Sequence, residues 1–185
     1  LDQGLISTAK QMNALQEKGL FLEVTPRLAA DAGVVYKQPD SWHRANALLL
    51  IGYSQEDRLK LIDHYFKTFY QQFGFYPTAT GAWWVDSFSL SHLEQKYNIK
   101  VNLGLADQHS TDGYQVWGQY WSTPYYPSAF HAGIPANDKS QKLDIVMLVV
   151  VLAVICAVKV APLVRFITSA AHPFGAAFVV FITPP

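Results

Sequence analysis

From Ser54 to Leu105 the chain repeats one unit, a capped helical stretch followed by a short strand-like run. Residues 54–73 place Leu59, Ile62, Phe66, Phe69 and Phe73 on one helical face. Ser54 with Asp57 forms a start close to a capping box, and Gly74 is a natural stop. Residues 79–85 read as a strand. A second helix follows over Leu90–Tyr97, capped by Ser87 or Ser89 and ended by Asn98, and then IKVNLGL over 99–105 alternates as a strand. Upstream, residues 5–18 carry helical spacing, and LFLEV at 20–24 is a short apolar run between Gly19 and Pro26. Residues 33–46 are turn-rich. ALLLI at 47–51 fits a helical turn or a strand, because periodicity cannot separate the two over so short a run. Residues 106–140 form a long irregular stretch, and LDIVML at 143–148 reads as another strand. Helix and strand in alternation imply a mostly parallel sheet covered by helices, with polar residues at the carboxyl ends of its strands.

Charge divides the chain in two. All 14 acids lie at or before Asp144, with 12 of the 14 Lys and Arg, and only Lys159 and Arg165 follow. Two domains are expected on this ground: an α/β unit over 1–148 and an apolar tail over 149–185. Residues 145–158 are uninterrupted apolar, shorter than the ~20 residues of a membrane-spanning helix; extension to residue 167 reaches that length but includes Lys159 and Pro162. A membrane segment through 145–167, a buried strand and a non-native continuation are the readings of this tail. The near-neutral chain has no basic stripe, which argues against nucleic acid as a partner. The single Cys156 excludes an internal disulfide and a multi-cysteine metal site. Leu1 is not a start methionine, which fits a fragment or a processed form.

The segment His43–Asp86 resembles the polysaccharide deacetylase family. The matching residues are His43 through Ala47, then Tyr53 and Ser54 with Glu56 and Asp57. Gly74, Phe75, Tyr76 and Pro77 follow, then Trp83, Trp84 and Asp86, then Leu90 and Leu93. The match covers about 60 residues, out to Val101, and looks closest to an uncharacterised bacterial branch of the glycoside hydrolase/deacetylase (β/α) barrel superfamily. GLFLEVTP, GAWWVDSFSL and STDGYQVWGQYWSTPYYPS look like that branch too. The resemblance implies a partial (β/α) barrel of the deacetylase-like type with an apolar C-terminal tail. It also implies hydrolysis of glycans, with a divalent metal as the cofactor to look for. The chain departs from the family pattern at three places, one of them the family's Arg before its aromatic-Gly turn, which falls near Gly81 or Ala82. No Asp pair lies upstream of His43, and the second histidine of the family's motif falls on Ala47.

The candidate catalytic residues are His43, Asp86, Asp107, His109 and Asp112. His43 follows Trp42 in a turn-rich loop, where it serves either a ligand or the backbone. Asp86 stands at a strand's end beside two indoles, where it suits acid/base work or caps the next helix. Asp107, His109 and Asp112 cluster in ADQHSTDGYQ, at a spacing that pairs imidazole with carboxylate or builds turns. Glu23 is an acid in an otherwise apolar run. Candidate substrate contacts are Trp42, Asn46, Trp83, Trp84, Trp117, Tyr120 and Trp121; Asn46 also suits a turn. Seven aromatic residues fall between Tyr114 and Phe130 with Gly and Pro interleaved. Such rings stack on sugar faces, or pack as a small core of their own. Carbohydrate is thus the expected partner and an extracytoplasmic or membrane-associated place the expected location. The alternatives to a hydrolase are a non-catalytic glycan-binding domain on the same scaffold and a protein anchored by its tail.

Overall fold

The structure, a computed structural model, describes residues 3–12, 17–38, 45–82, 84–105, 124–150, 164–168 and 178–182. It is a mixed α/β fold. The elements in order are α1 (Gln3–Lys10), β1 (Glu17–Phe21), α2 (Pro26–Asp31), α3 (Ala45–Leu48), α4 (Gln55–Phe73), β2 (Ala79–Gly81), α5 (Ser87–Tyr97), β3 (Val101–Leu105), β4 (Val146–Val150), β5 (Val164–Thr168) and β6 (Phe178–Ile182). The sheet order is β4-β3-β2-β1-β6-β5. β4, β3, β2, β1 and β6 run parallel to one another, and β5 is antiparallel to β6. Among the described residues β4 and β5 are the two ends of this sheet. The boundary expected near residue 148 falls inside β4, and the backbone of β5 and β6 belongs to the same sheet. No helix among the described residues is long and apolar enough to cross a membrane.

Local chemistry accounts for the helices. Ser54 caps α4 by accepting from the Asp57 amide, and Gly74 ends it in the left-handed conformation, φ 77°, which only glycine adopts at no steric cost. The buried face of α4 is Leu61, Ile62, Tyr65, Phe66 and Phe69. It is rotated from the expected stripe: Leu59 is only half-buried, while Leu61 and Tyr65 are buried, the Tyr65 hydroxyl donating to the Glu23 carbonyl. Thr25 caps α2, accepting from the Leu28 amide, with Pro26 in the first turn, a helix that none of the elements expected from the sequence covers. ALLLI resolves as helical: α3 is followed by a 3-10 turn over Leu50–Gly52. The Tyr53 hydroxyl closes that turn on the Ala47 carbonyl at 2.7 Å.

β1 starts at Glu17, three residues before the expected strand. Leu20, Leu22 and Val24 then alternate into the core shared with α2, α4 and α5. One row crosses four strands in register: Leu20, Thr80, Asn102 and Met147. Thr80 and Asn102 have no solvent exposure, so they must bond to each other: the threonine hydroxyl donates to Asn102 Oδ1 at 2.9 Å. The Asn102 amide contacts the Met147 sulfur at 3.7 Å. Tyr125 lies beside β4 and exchanges both backbone hydrogen bonds with Met147.

At Gly52 the chain passes close against the Asn46 backbone. A Cβ there would stand 2.1 Å from the Asn46 carbonyl oxygen, so backbone must shift to admit it. Gly52→Ala is expected to cost about 1–3 kcal/mol in urea unfolding; an unchanged midpoint would show that α3 yields freely.

Candidate functional site

The carboxyl ends of β1 and β2 lie side by side, the edge at which parallel sheets usually bind ligands. Past β1, the Leu22 amide bonds to the Gly81 carbonyl, and the Val24 amide bonds to the Leu48 carbonyl. The half-buried Glu23 sits between these two anchors. Burial, with the negative charge of Glu23, pushes the phenols of Tyr36 and Tyr65 up, Tyr65 far up. Burial likewise pushes Tyr53 up to about 12, against a lowering bond from the Lys37 backbone. The Lys37 ammonium donates to the Gly52 carbonyl and lies 5.6 Å from the centre of the Tyr53 ring. Three phenols that stay protonated are hydrogen-bonding groups rather than bases or nucleophiles.

Past β2 the chain runs through buried Ala82, half-buried Trp84 and buried Val85 to Asp86. Asp86 caps α5: Oδ1 accepts from the Ser89 amide at 2.9 Å and Oδ2 from the Ser89 hydroxyl at 2.7 Å. Arg58 of α4 lies 3.2 Å from Oδ1, and the two side chains are 13% and 9% exposed, so their pairing is shielded from water. The same guanidinium donates to the carbonyls of Tyr53 at 2.8 Å and Ile51 at 3.3 Å. One cation therefore holds the turn after α3, the first turn of α4 and the cap of α5 together.

A second polar cluster links α4 and α5 further along. Asp63 lies 2.8 Å from His92 Nε2 and accepts from Lys96 Nζ and the Tyr97 hydroxyl, each at 2.7 Å. Burial acts to raise the Asp63 carboxyl, but the bonds from Lys96, His92 and Tyr97 outweigh it and hold the group below its ordinary value.

Of the residues expected from the sequence, Asp86 stands at the strand-end edge in a capping and ion-paired role. Trp84 precedes it by two residues, and Asn46 is exposed on α3. Trp42, His43, Trp83, Asp107, His109, Asp112, Trp117, Tyr120 and Trp121 lie outside the described residues. The sequence reading missed Arg58. Its signal is a cation in the first turns of a helix, where the macrodipole disfavours it and a dedicated carboxylate is needed. Among the described residues no group of three or more His, Cys, Asp or Glu converges as metal ligands would. Asp86, with a guanidinium on one oxygen and Ser89 on both, does not suit a cation. Of the candidate residues only Asp86 is described, and its bonds do not fit a metal ligand; His43, Asp107, His109 and Asp112 lie outside the described residues.

The described residues thus define an α/β protein with a parallel sheet and a polar carboxyl edge. The chain belongs to the family described as a domain of unknown function with a solved structure, DUF3863, whose model matches residues 50–165. No curated protein matches it. Among solved structures it is similar to one from Parabacteroides distasonis described as a "putative glycoside hydrolase/deacetylase", with 24% identity and a TM-score of 0.44. The likeness covers 51% of this chain, which spans 22% of that one.

Removing one member of the buried pair strands the other. Asp86→Ala is expected to destabilise by about 3–5 kcal/mol, and Arg58→Met with Asp86→Asn to cost less than the two single changes added; additivity in urea unfolding would show the pair uncoupled. Asp63 gives a pH signature. A carboxylate depressed in the folded state contributes fully above its ordinary value of 3.8, and that contribution is lost as pH falls through the lower folded value. Asp63→Asn should therefore flatten the acid limb of the melting temperature; an unaltered limb would remove Asp63 from the acid response.

Proposed function

We propose that the chain is a carbohydrate-active hydrolase of the polysaccharide deacetylase/glycoside hydrolase-like barrel class, acting on glycans outside the cytoplasm. The observation that carries this reading is the link made by Arg58. The two parts of the resemblance, the segment after His43 and the segment ending at Asp86, meet at one carboxyl edge, tied by one guanidinium. In this reading His43 and the loop with Asp107, His109 and Asp112 supply proton transfer. Trp42, Asn46, Trp83, Trp84, Trp117, Tyr120 and Trp121 hold the sugar. Tyr36 adds a hydroxyl group whose proton is held by burial and the negative charge of Glu23. Asp86 serves the edge by fixing the loop of Trp84 on α5, and proton transfer falls to His43 and its neighbours.

A non-catalytic glycan-binding domain is the second reading. It is favoured by the engagement of both Asp86 oxygens by Ser89, with Arg58 on Oδ1. Release of acetate and of reducing ends from acetylated hexosamine polymers separates the two readings. The hydrolase reading expects turnover that falls about a hundredfold in His43→Ala. Binding without turnover favours the second reading, and neither binding nor turnover overturns both.

A further inference from the structure

Between Tyr125 and Ala136 the chain builds a tightly bonded turn around one buried serine. Ser128 is 7% exposed, and its backbone and side chain are all in use. Its amide donates to the Ile134 carbonyl at 3.0 Å, and its carbonyl accepts from the His131 amide at 3.2 Å and from the Ser87 hydroxyl at 2.9 Å. Its own hydroxyl accepts from the Phe130 amide at 3.2 Å. The Tyr125 hydroxyl donates to the Ala132 carbonyl at 2.9 Å, and the Ala129 amide bonds to the Gln141 carbonyl at 2.8 Å. Ser87 is the neighbour of Asp86, so this turn is anchored to the same helix start that ends the β2 segment.

So much bonding leaves the turn rigid, yet its tip carries Phe130 at 78% exposure. The bonded frame holds this phenyl ring in water, where it is available to a ligand. His131 beside it is also exposed, and its orientation is set. Nδ1 accepts from the Gly133 amide at 3.1 Å, which in the neutral ring leaves the proton on Nε2. The ring folds so closely over Gly133 that a Cβ there would stand 3.0 Å from Cε1. The tip thus offers the Phe130 ring, with Tyr126 and Ile134 also exposed nearby, and the Nε2 of an exposed histidine. A protein partner would want a wider apolar surface. A pyranose has an apolar face bordered by hydroxyl groups and matches both features.

We propose that the 128–134 turn is a sugar-binding subsite, with Phe130 stacked on a pyranose face and His131 Nε2 donating to a ring hydroxyl. This rests on the glycan reading above and adds a contact to it. The test uses the full chain, titrated calorimetrically with the hexamers of N-acetylglucosamine and of β-linked glucose. Phe130→Ala is expected to weaken binding about fivefold or more, and His131→Ala about threefold. Tyr70→Ala, an exposed ring on the far part of α4, should leave it unchanged. Nitrogen-15 spectra in mildly alkaline buffer should show His131 protonated on Nε2. Wild-type binding that Phe130→Ala retains overturns the subsite and leaves the glycan reading standing. Equal losses in Tyr70→Ala, or a proton found on Nδ1, also overturn it. A wild type that binds neither hexamer overturns the subsite and the glycan-binding expectation together.

Discussion

A guanidinium held largely out of water needs a full set of acceptors, and Arg58 finds them on two separate pieces of chain. The turn after α3 gives two carbonyls, and the cap of α5 gives a carboxylate. Each of those pieces is short and has few ways to fix its own position. The 3-10 turn is three residues long, and β2 is a three-residue strand. Their placement at the carboxyl edge is therefore set by the cation between them, and the geometry of Trp84 and Asp86 follows from it.

The Asp63 cluster repeats the device one and a half turns further along α4. Arg58 reaches Asp86, and Asp63 gathers His92, Lys96 and Tyr97. Two polar ties at different heights stop α4 and α5 from sliding along or rotating past each other, which apolar packing of Phe66 and Leu90 alone would permit. Below them, the bonded pair of Thr80 and Asn102 does the same for β2 against β3. A one-residue slip would leave both groups buried without each other. The helices and the strands are thus each given a single register by polar groups set within apolar surroundings.

What could be read from the residues follows from how local the causes are. α4 was legible because Ser54, Gly74 and the aromatic spacing all lie within one segment. β3 and α5 were legible for the same reason, although Asp86 rather than a serine supplies the cap. β1 was misplaced because helical spacing through Leu15 was carried on across Glu17 and Lys18, where pairing with β2 and β6 decides. α2 was missed although Thr25 and Pro26 spell a helix start, since six residues show no periodicity. Arg58 was out of reach as a partner of Asp86, because 28 residues separate them in sequence and only the parallel run of two helices brings them together. The acid and indole past β2 stand out in the sequence as residues near a strand's end; which role Asp86 plays there depends on that distant cation.

Tyr125 has a consequence of another kind. It occupies both backbone groups of Met147 on the outer side of β4, a strand of five apolar residues. A run such as Val-Met-Leu-Val-Val invites other extended chains to add to it, and the first step toward fibrils is that addition. A tyrosine whose hydroxyl is tethered to Ala132 works there as a built-in stopper. Protection against self-assembly and presentation of Phe130 thus come from one and the same stretch of backbone.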